Sequence, residues 1–222
     1  MNWNRSQNKV TSNPQLVKIM KIFAIGMNYL EHTKELNNPV PSEPVFFMKP
    51  DTAIVRNNKP FYYPDFSEDL HYETEIVLKL NRVGKNISER FAHRYYTDIG
   101  IGIDFTARDI QRKCREKGLP WEVAKAFDGS APLGKFIPKE RFTDVHNLNF
   151  HLDINGINVQ SGNTHDMIFS YEKIIAHISK YITIKMGDLI FTGTPAGVGP
   201  VKIGDHLQAY LEDQLMIDFY VK

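Results

Sequence analysis

Leu70-His71-Tyr72-Glu73-Thr74-Glu75-Ile76-Val77-Leu78-Lys79-Leu80 is rich in the β-branched, aromatic and aliphatic residues that suit a pleated, half-buried surface, so it reads as one strand. Side chains alternate across a strand, which puts Glu73 and Glu75 on the same face, roughly 6 to 7 Å apart. Like charges at that spacing repel and raise each other's pKa unless a cation, an arginine or deep solvation compensates. A second run, Asp98-Ile-Gly-Ile-Gly-Ile-Asp104, sets Ile99, Ile101 and Ile103 on one face and Asp98, Gly100, Gly102 and Asp104 on the other, where glycine is expected to clear space above the sheet. Glu73, Glu75 and Asp104, with no Cys or His cluster beside them, make an all-oxygen set suited to a hard cation such as Mg²⁺, Mn²⁺ or Ca²⁺ rather than zinc. The competing account is a solvated outer face, the usual setting of an E-x-E strand. It explains the second strand less well, because solvated faces rarely alternate Asp with Gly.

The 222 residues suffice for one well-buried domain, and no linker or repeat divides them. With 27 Lys and Arg against 26 Asp and Glu and no dense basic run, neither nucleic acid nor an anionic membrane is an expected partner. One cysteine, Cys114, excludes an intrachain disulfide framework and Cys-based zinc sites, which makes the cytoplasm the default compartment. Residues 1–13 have no apolar core for a signal peptide, and no later segment reaches membrane-spanning length. Met20 directly precedes the first strand, Lys21–Ile25, so residues 1–19 read as an appended tail on a domain covering 20–222.

Further along, Tyr29–Leu36 reads as a short helix with Asn28 as cap, stopped by Pro39, Pro41 and Pro44. Val45–Lys49 reads as a strand, and Ile54-Val55 and Phe61–Tyr63 as a hairpin about Asn57-Asn58. Thr106-Ala-Arg-Asp109 is a capping-box variant opening a helix that ends at Gly118. Asn155-Gly156 between two apolar runs marks a second hairpin, Ser170 caps an amphipathic helix, and strands close the chain at 188–192, 206–211 and 216–221. Strands outnumber helices and hairpins outnumber crossovers, which gives a β-rich α+β domain.

His32 and Glu35 stand three apart on a helix, where the carboxylate can hold the imidazole in one tautomer and raise its basicity; surface pairs of this kind are also commonplace. Thr192-Gly-Thr-Pro-Ala-Gly-Val-Gly199 offers backbone N–H groups to an anion, or is simply a tight turn. Lys125 among apolar neighbours is either a partly buried ammonium near the acids or a snorkelling surface lysine.

In their order, Gly26-Met-Asn-Tyr-x-x-His32, Phe46-Phe-Met-Lys49-Pro50, Glu73-x-Glu75, Gly102-Ile-Asp104-Phe-Thr-Ala-Arg108-Asp-Ile-Gln111, Ala124-Lys125-x-Phe127, Asn155-Gly156-x-x-x-Gln160 with Thr164, and Gly187-Asp188-Leu-Ile-Phe-Thr192-Gly-Thr194-Pro-Ala-Gly-Val-Gly199 resemble the fumarylacetoacetate hydrolase family. The run from Cys114 to Lys125 is most similar to its short acylpyruvase and oxaloacetate decarboxylase branch. The resemblance implies a mixed β-sandwich roll, usually homodimeric, with Mg²⁺ or Mn²⁺ on Glu73, Glu75 and Asp104. It also implies His32 as base with Glu35 orienting it on a lid segment, Lys125 beside the reacting atoms, and Arg108, Gln111 and Thr192 contacting a small 2-oxo acid. The implied reaction is C–C hydrolysis of an acylpyruvate through a pyruvate enolate, with oxaloacetate decarboxylation or isomerisation as alternatives built on the same intermediate. A noncatalytic Ca²⁺-binding module would leave His32, Glu35 and Lys125 without a role, and a glycosidase would need its two acids to flank the scissile bond rather than share a strand face.

Overall fold

The computed structural model describes residues 21–36 and 38–222, so the expected tail over 1–19 lies outside the described residues. In chain order the first half comprises β1 (Ile22–Gly26), α1 (Leu30–Glu35), β2 (Val45–Lys49), β3 (Ile54–Val55), β4 (Leu70–Tyr72), β5 (Thr74–Leu80), α2 (Glu89–Ala92), β6 (Tyr96–Ile103), β7 (Thr106–Ala107), α3 (Arg108–Lys117) and α4 (Glu122–Lys125). There follow β8 (Ala131–Pro138), β9 (Asn149–Ile154), β10 (Ile157–Asn163), α5 (Tyr171–Tyr181), β11 (Leu189–Phe191), β12 (Gly199–Pro200), β13 (His206–Leu211) and β14 (Gln214–Tyr220). A seven-stranded sheet in the order β2-β1-β11-β5-β6-β8-β3 meets a four-stranded sheet, β10-β9-β13-β14, and a small third one, β12-β4-β7. β1 runs parallel to β11 and β3 to β8, so the large sheet is mixed. The domain is α+β and strand-rich, as expected.

One face of the large sheet carries Phe23, Ile25, Ile76, Leu78, Ile99 and Ile101 into the main core, against Ile174, Ile175 and Ile178 of α5 and Leu207 and Ile217 of the four-stranded sheet. The opposite face holds a separate apolar cluster of Ile22, Ala24, Val77, Leu189 and Phe191, with Phe47 and Phe136 packed on it. Glu75 has the parity of Val77, so it emerges on this second face, and the same alternation delivers Gly26 and Lys49 there. Among the described residues no helix is long and apolar enough to cross a membrane.

Several local expectations are confirmed. Asn155 and Gly156 take φ of 54° and 78°, the double left-handed conformation of a tight hairpin, between the antiparallel β9 and β10. Gly118 ends α3 at φ 63°, and Ser170 caps α5 by accepting from the N–H of Lys173.

Others are corrected. The run Leu70–Leu80 is two strands broken at Glu73: β4 joins the small sheet and β5 the large one, so Glu73 marks the crossing between sheets. Ile54-Val55 does not pair with Phe61–Tyr63; β3 pairs with β8 and Phe61 bridges to Val221. The turn chemistry of Asn57 and Asn58 is real, with φ of 59° and 54°, but the returning chain finds a more distant partner. Asn28 does not cap α1. Its amide instead donates to the carbonyls of Phe169 and Thr192 and accepts from the N–H of Phe169, joining three segments. The Thr106 hydroxyl donates to Asp104 O, and α3 begins without a side-chain cap. The strand glycines make room for aromatic rings rather than for an ion: a Cβ on Gly102 would stand 2.4 Å from the Phe191 ring, and one on Gly100 3.0 Å from Phe136.

Candidate active site

Register builds the acidic cluster. Glu75 lies opposite Gly102 on the antiparallel pair β5 and β6, and the N–H of Asp104 donates to Glu73 O at 2.8 Å, so the three acids converge where both strands end. One carboxylate oxygen from each of Glu73, Glu75 and Asp104 lies within 4.8 Å of the others. All three are buried, at 5 %, 1 % and 1 % exposure, which removes the solvated-face reading. At an effective dielectric near 20, unit charges at that separation repel by about 3 kcal/mol per pair, so such a cluster requires cations.

Three are present. Lys125 donates to Glu73 Oε2 at 2.7 Å and Asp104 Oδ2 at 2.9 Å. Arg108 donates from Nη2 to Glu73 Oε1 and from Nη1 to Gln111 Oε1, both at 2.6 Å. Lys49 is the third, with Nζ 2.7 Å from Asp104 Oδ1. It also donates to the hydroxyl of Ser130 at 3.0 Å and to the carbonyl of Lys125. Burial alone would raise the Glu73 carboxyl, but Lys125, Arg108 and His32 together outweigh it and hold that group well below the usual range. Glu75 has no such partner and is pushed well above the usual range by burial first, then by Asp104 and Glu73, against the N–H of Gly193 at 2.8 Å. Burial lowers Lys49 despite Asp104, whereas the pull of Asp104 and Glu73 on Lys125 overcomes its burial and raises it.

A divalent cation fits these residues. Asp104 Oδ1 has the Lys49 ammonium at 2.7 Å as its partner, and Glu75 faces the cavity with one backbone N–H as its partner among the described residues. Three convergent carboxyl groups in an all-oxygen set, with Glu75 short of partners, are what a hard dication completes.

The acids open into a cavity of about 230 Å³, suited to a small metabolite. Lys125, Arg108, Gln111 and Arg115 line it, Phe47 and Trp121 give it an apolar wall, and His32 and Asn38 face it from α1 and the segment beyond. His32 is 5 % exposed, and its Nδ1 lies 3.0 Å from Glu35 Oε2. A carboxylate accepts only, so neutral His32 carries its proton on Nδ1 and leaves Nε2 as the bare nitrogen. The other Glu35 oxygen accepts from the N–H of Gly197 at 3.1 Å, fastening α1 to the glycine-rich loop.

Seven of the nine residues singled out from the sequence line this cavity, and Glu35 joins it through His32. Thr192 does not line the cavity: it is fully buried, and its hydroxyl donates to Ile76 O at 2.9 Å. The loop's cavity-facing hydroxyl is Thr194, which donates to Thr74 O and accepts from Gln160 Nε2 at 2.8 Å. Sequence reasoning gave Lys49 no role, although a lysine closing the apolar strand Val45–Lys49 was the available signal. Arg115 carried a signal too, seven residues beyond Arg108 on the same helical face.

Comparison with known proteins finds relatives of the whole domain. Residues 21–219 match the family model described as fumarylacetoacetate (FAA) hydrolase C-terminal. The chain is 42% identical over 201 residues to the Bos taurus protein named oxaloacetate tautomerase FAHD1, mitochondrial, covering 90% of this chain and 91% of that one. It is 41% identical over 185 residues to a Dictyostelium discoideum protein named oxaloacetate decarboxylase, mitochondrial, covering 83% and 85%. Among solved structures, fumarylpyruvate hydrolase from Pseudomonas aeruginosa in complex with Mn²⁺ and pyruvate superposes with a TM-score of 0.87 at 30% identity, over 96% of this chain and 94% of that one. With the buried acidic triad, the convergent lysines and the matched fold in place, the chain belongs to the fumarylacetoacetate hydrolase family.

Proposed function

We propose that the protein is a Mg²⁺- or Mn²⁺-dependent enzyme that acts on oxaloacetate, interconverting its keto and enol forms, with decarboxylation as a second outcome of the same enolate. The observation that carries this reading is charge. With all three carboxylates ionised, as metal binding requires, Glu73, Glu75 and Asp104 balance Lys49, Lys125 and Arg108, and Arg115, which pairs with no carboxylate among the described residues, adds a further positive charge to the cavity. A dication then makes this low-dielectric cavity strongly positive, and a dianionic 2-oxo dicarboxylate offsets that charge further than a monoanionic acylpyruvate such as acetylpyruvate does. The names of the bovine and Dictyostelium relatives point the same way.

A dication on Glu73, Glu75 and Asp104 would supply Lewis-acid stabilisation of charge on the 2-keto oxygen. His32 Nε2 takes a proton from C3, and the electron pair moves onto the 2-keto oxygen. Protonation of that oxygen gives the enol, and return of the proton to C3 restores the keto form. In decarboxylation the electron pair comes instead from the C3–C4 bond as CO₂ leaves, and C3 of the enolate takes its proton from solvent, directly or through a His32 that solvent has first protonated. Lys125, kept charged by Glu73 and Asp104, presents positive charge to the enolate, while Arg108 and Gln111 orient the substrate and Phe47 and Trp121 keep water from one side.

Acylpyruvate hydrolysis is the second reading, favoured by the His32–Glu35 pair, which is equally placed to activate water. Parallel assays with Mg²⁺ decide between them: enol absorbance and CO₂ release from oxaloacetate, and pyruvate release from acetylpyruvate. Faster turnover of oxaloacetate supports the first reading, and efficient acetylpyruvate cleavage with inert oxaloacetate overturns it. Homodimeric assembly, a cytoplasmic location and the 20–222 domain boundary are further proposals, of which sedimentation tests the first.

A further inference from the structure

Three Lys and Arg side chains line the cavity, and two are committed: Arg108 to Glu73, and Lys125 to Glu73 and Asp104. The third, Arg115, pairs with no carboxylate among the described residues, and its guanidinium donates from Nη2 to Asn38 Oδ1 at 2.6 Å. Arg108, Gln111 and Arg115 follow one another at spacings of three and four on α3, so they form one stripe along the cavity. Their burial grades from Arg108 at 5 % and Gln111 at 7 % to an exposed Arg115, so the stripe leads from the acids to the mouth. At about 1.5 Å rise per residue, Arg115 sits roughly 10 Å along the helix from Arg108.

We propose that Arg115 is the specificity residue of this cavity, binding the carboxylate at the far end of a dicarboxylate substrate whose 2-oxo acid end is anchored at the acids. The inference rests on the reading of the cavity as a 2-oxo acid site. The planar guanidinium matches a carboxylate with two parallel donors, a geometry that the ammonium of Lys125 lacks. Its position is fixed from below. The left-handed Gly118 closes α3 with its N–H on Arg115 O at 3.3 Å, and the N–H of Leu119 bonds Cys114 O at 2.8 Å. A cation in the last turn of a helix is also favoured by the helix dipole. The Asn38 amide oxygen is neutral, so a carboxylate replacing it turns a neutral acceptor into a charged one.

The competing role for Arg115 is a latch that holds the segment after α1 through Asn38. Malate and lactate separate the two, because both carry a carboxylate and a 2-hydroxyl but only malate has a far carboxylate. Calorimetric binding of each, with Mg²⁺ present, is measured for wild type, Arg115→Gln and Arg115→Lys. We expect Arg115→Gln to weaken malate by about tenfold to a hundredfold, to leave lactate within about twofold, and to be partly rescued by Arg115→Lys. The same variant should raise the KM for oxaloacetate with kcat little changed, as loss of uniform binding requires. Equal weakening of malate and lactate establishes the latch and overturns the proposal. A malate preference that survives in Arg115→Gln overturns it as well, while leaving the 2-oxo acid reading intact. Wild-type protein that binds neither ligand overturns that reading, and the role of Arg115 falls with it.

Discussion

Glu75→Gln should stabilise the metal-free protein and lose much of that advantage in the metal-loaded one. Glu75 has two acidic neighbours within 4.8 Å and one backbone N–H as compensation. Each acidic pair repels by about 3 kcal/mol at an effective dielectric of 20, and Lys125 offsets part of that sum, so removing the charge should return about 1 to 3 kcal/mol. For a chain of this size that is a rise of roughly 2 to 10 °C in Tm. The sign with pH follows from the raised Glu75 carboxyl. Above the unfolded value near 4.5, the folded protein holds a proton that the unfolded chain has released, so stability falls as pH rises until the folded group ionises. The advantage of the glutamine variant should therefore be small at pH 4.5 and grow toward pH 8. Saturating Mn²⁺ should shrink that advantage, because wild type gains about 2.7 kcal/mol at a hundred times its Kd while a variant bound tenfold more weakly gains about 1.4 kcal/mol. Scanning calorimetry in chelator and in Mn²⁺, at several pH values, measures all four states. A glutamine variant less stable than wild type in chelator at pH 8, or one whose advantage is undiminished in saturating Mn²⁺, would refute the view that Glu75 is a frustrated ligand.

His32→Ala should lower kcat by about 10² to 10⁴ while leaving Mn²⁺ affinity unchanged, because it removes a proton acceptor and not a ligand; steady-state rates beside a metal titration check both. Lys49→Met leaves Asp104 with one cation fewer in a buried setting and should cost about 3 to 5 kcal/mol in urea denaturation. Gly102→Ala forces a methyl to within 2.4 Å of the Phe191 ring and should cost about 1 to 3 kcal/mol by the same method.

The parts of the fold and site that were legible in sequence share a physical cause. Asn155-Gly156, Gly118 and Ser170 each act through their own backbone, so local chemistry was enough to place them. Glu73, Glu75 and Asp104 were legible because three acids with glycines and isoleucines between them conflict with an ordinary strand face. Pairing partners were harder. Asn57-Asn58 announces a turn but does not say that β3 will find β8, more than seventy residues on. The break at Glu73 arises because one continuous β-prone run is divided between two sheets, which no propensity encodes. Thr192 and Thr194 are two apart in one motif and each hydroxyl donates to a backbone carbonyl of β5, Ile76 O and Thr74 O, so the motif does not tell which of them also lines the cavity. Asn28 shows the same limit. Its sequence position suits a helix cap, while its partners Phe169 and Thr192 lie far along the chain.

The metal site underlies every functional statement above, and Mn²⁺ titration followed by electron paramagnetic resonance tests it most directly. The wild-type chain should bind one Mn²⁺, and Glu75→Gln and Asp104→Asn, each shown to be folded by circular dichroism, should weaken that site by tenfold or more, as loss of one carboxylate ligand predicts. Wild-type protein that takes up no Mn²⁺, or folded variants that bind it as tightly as wild type, would contradict the account.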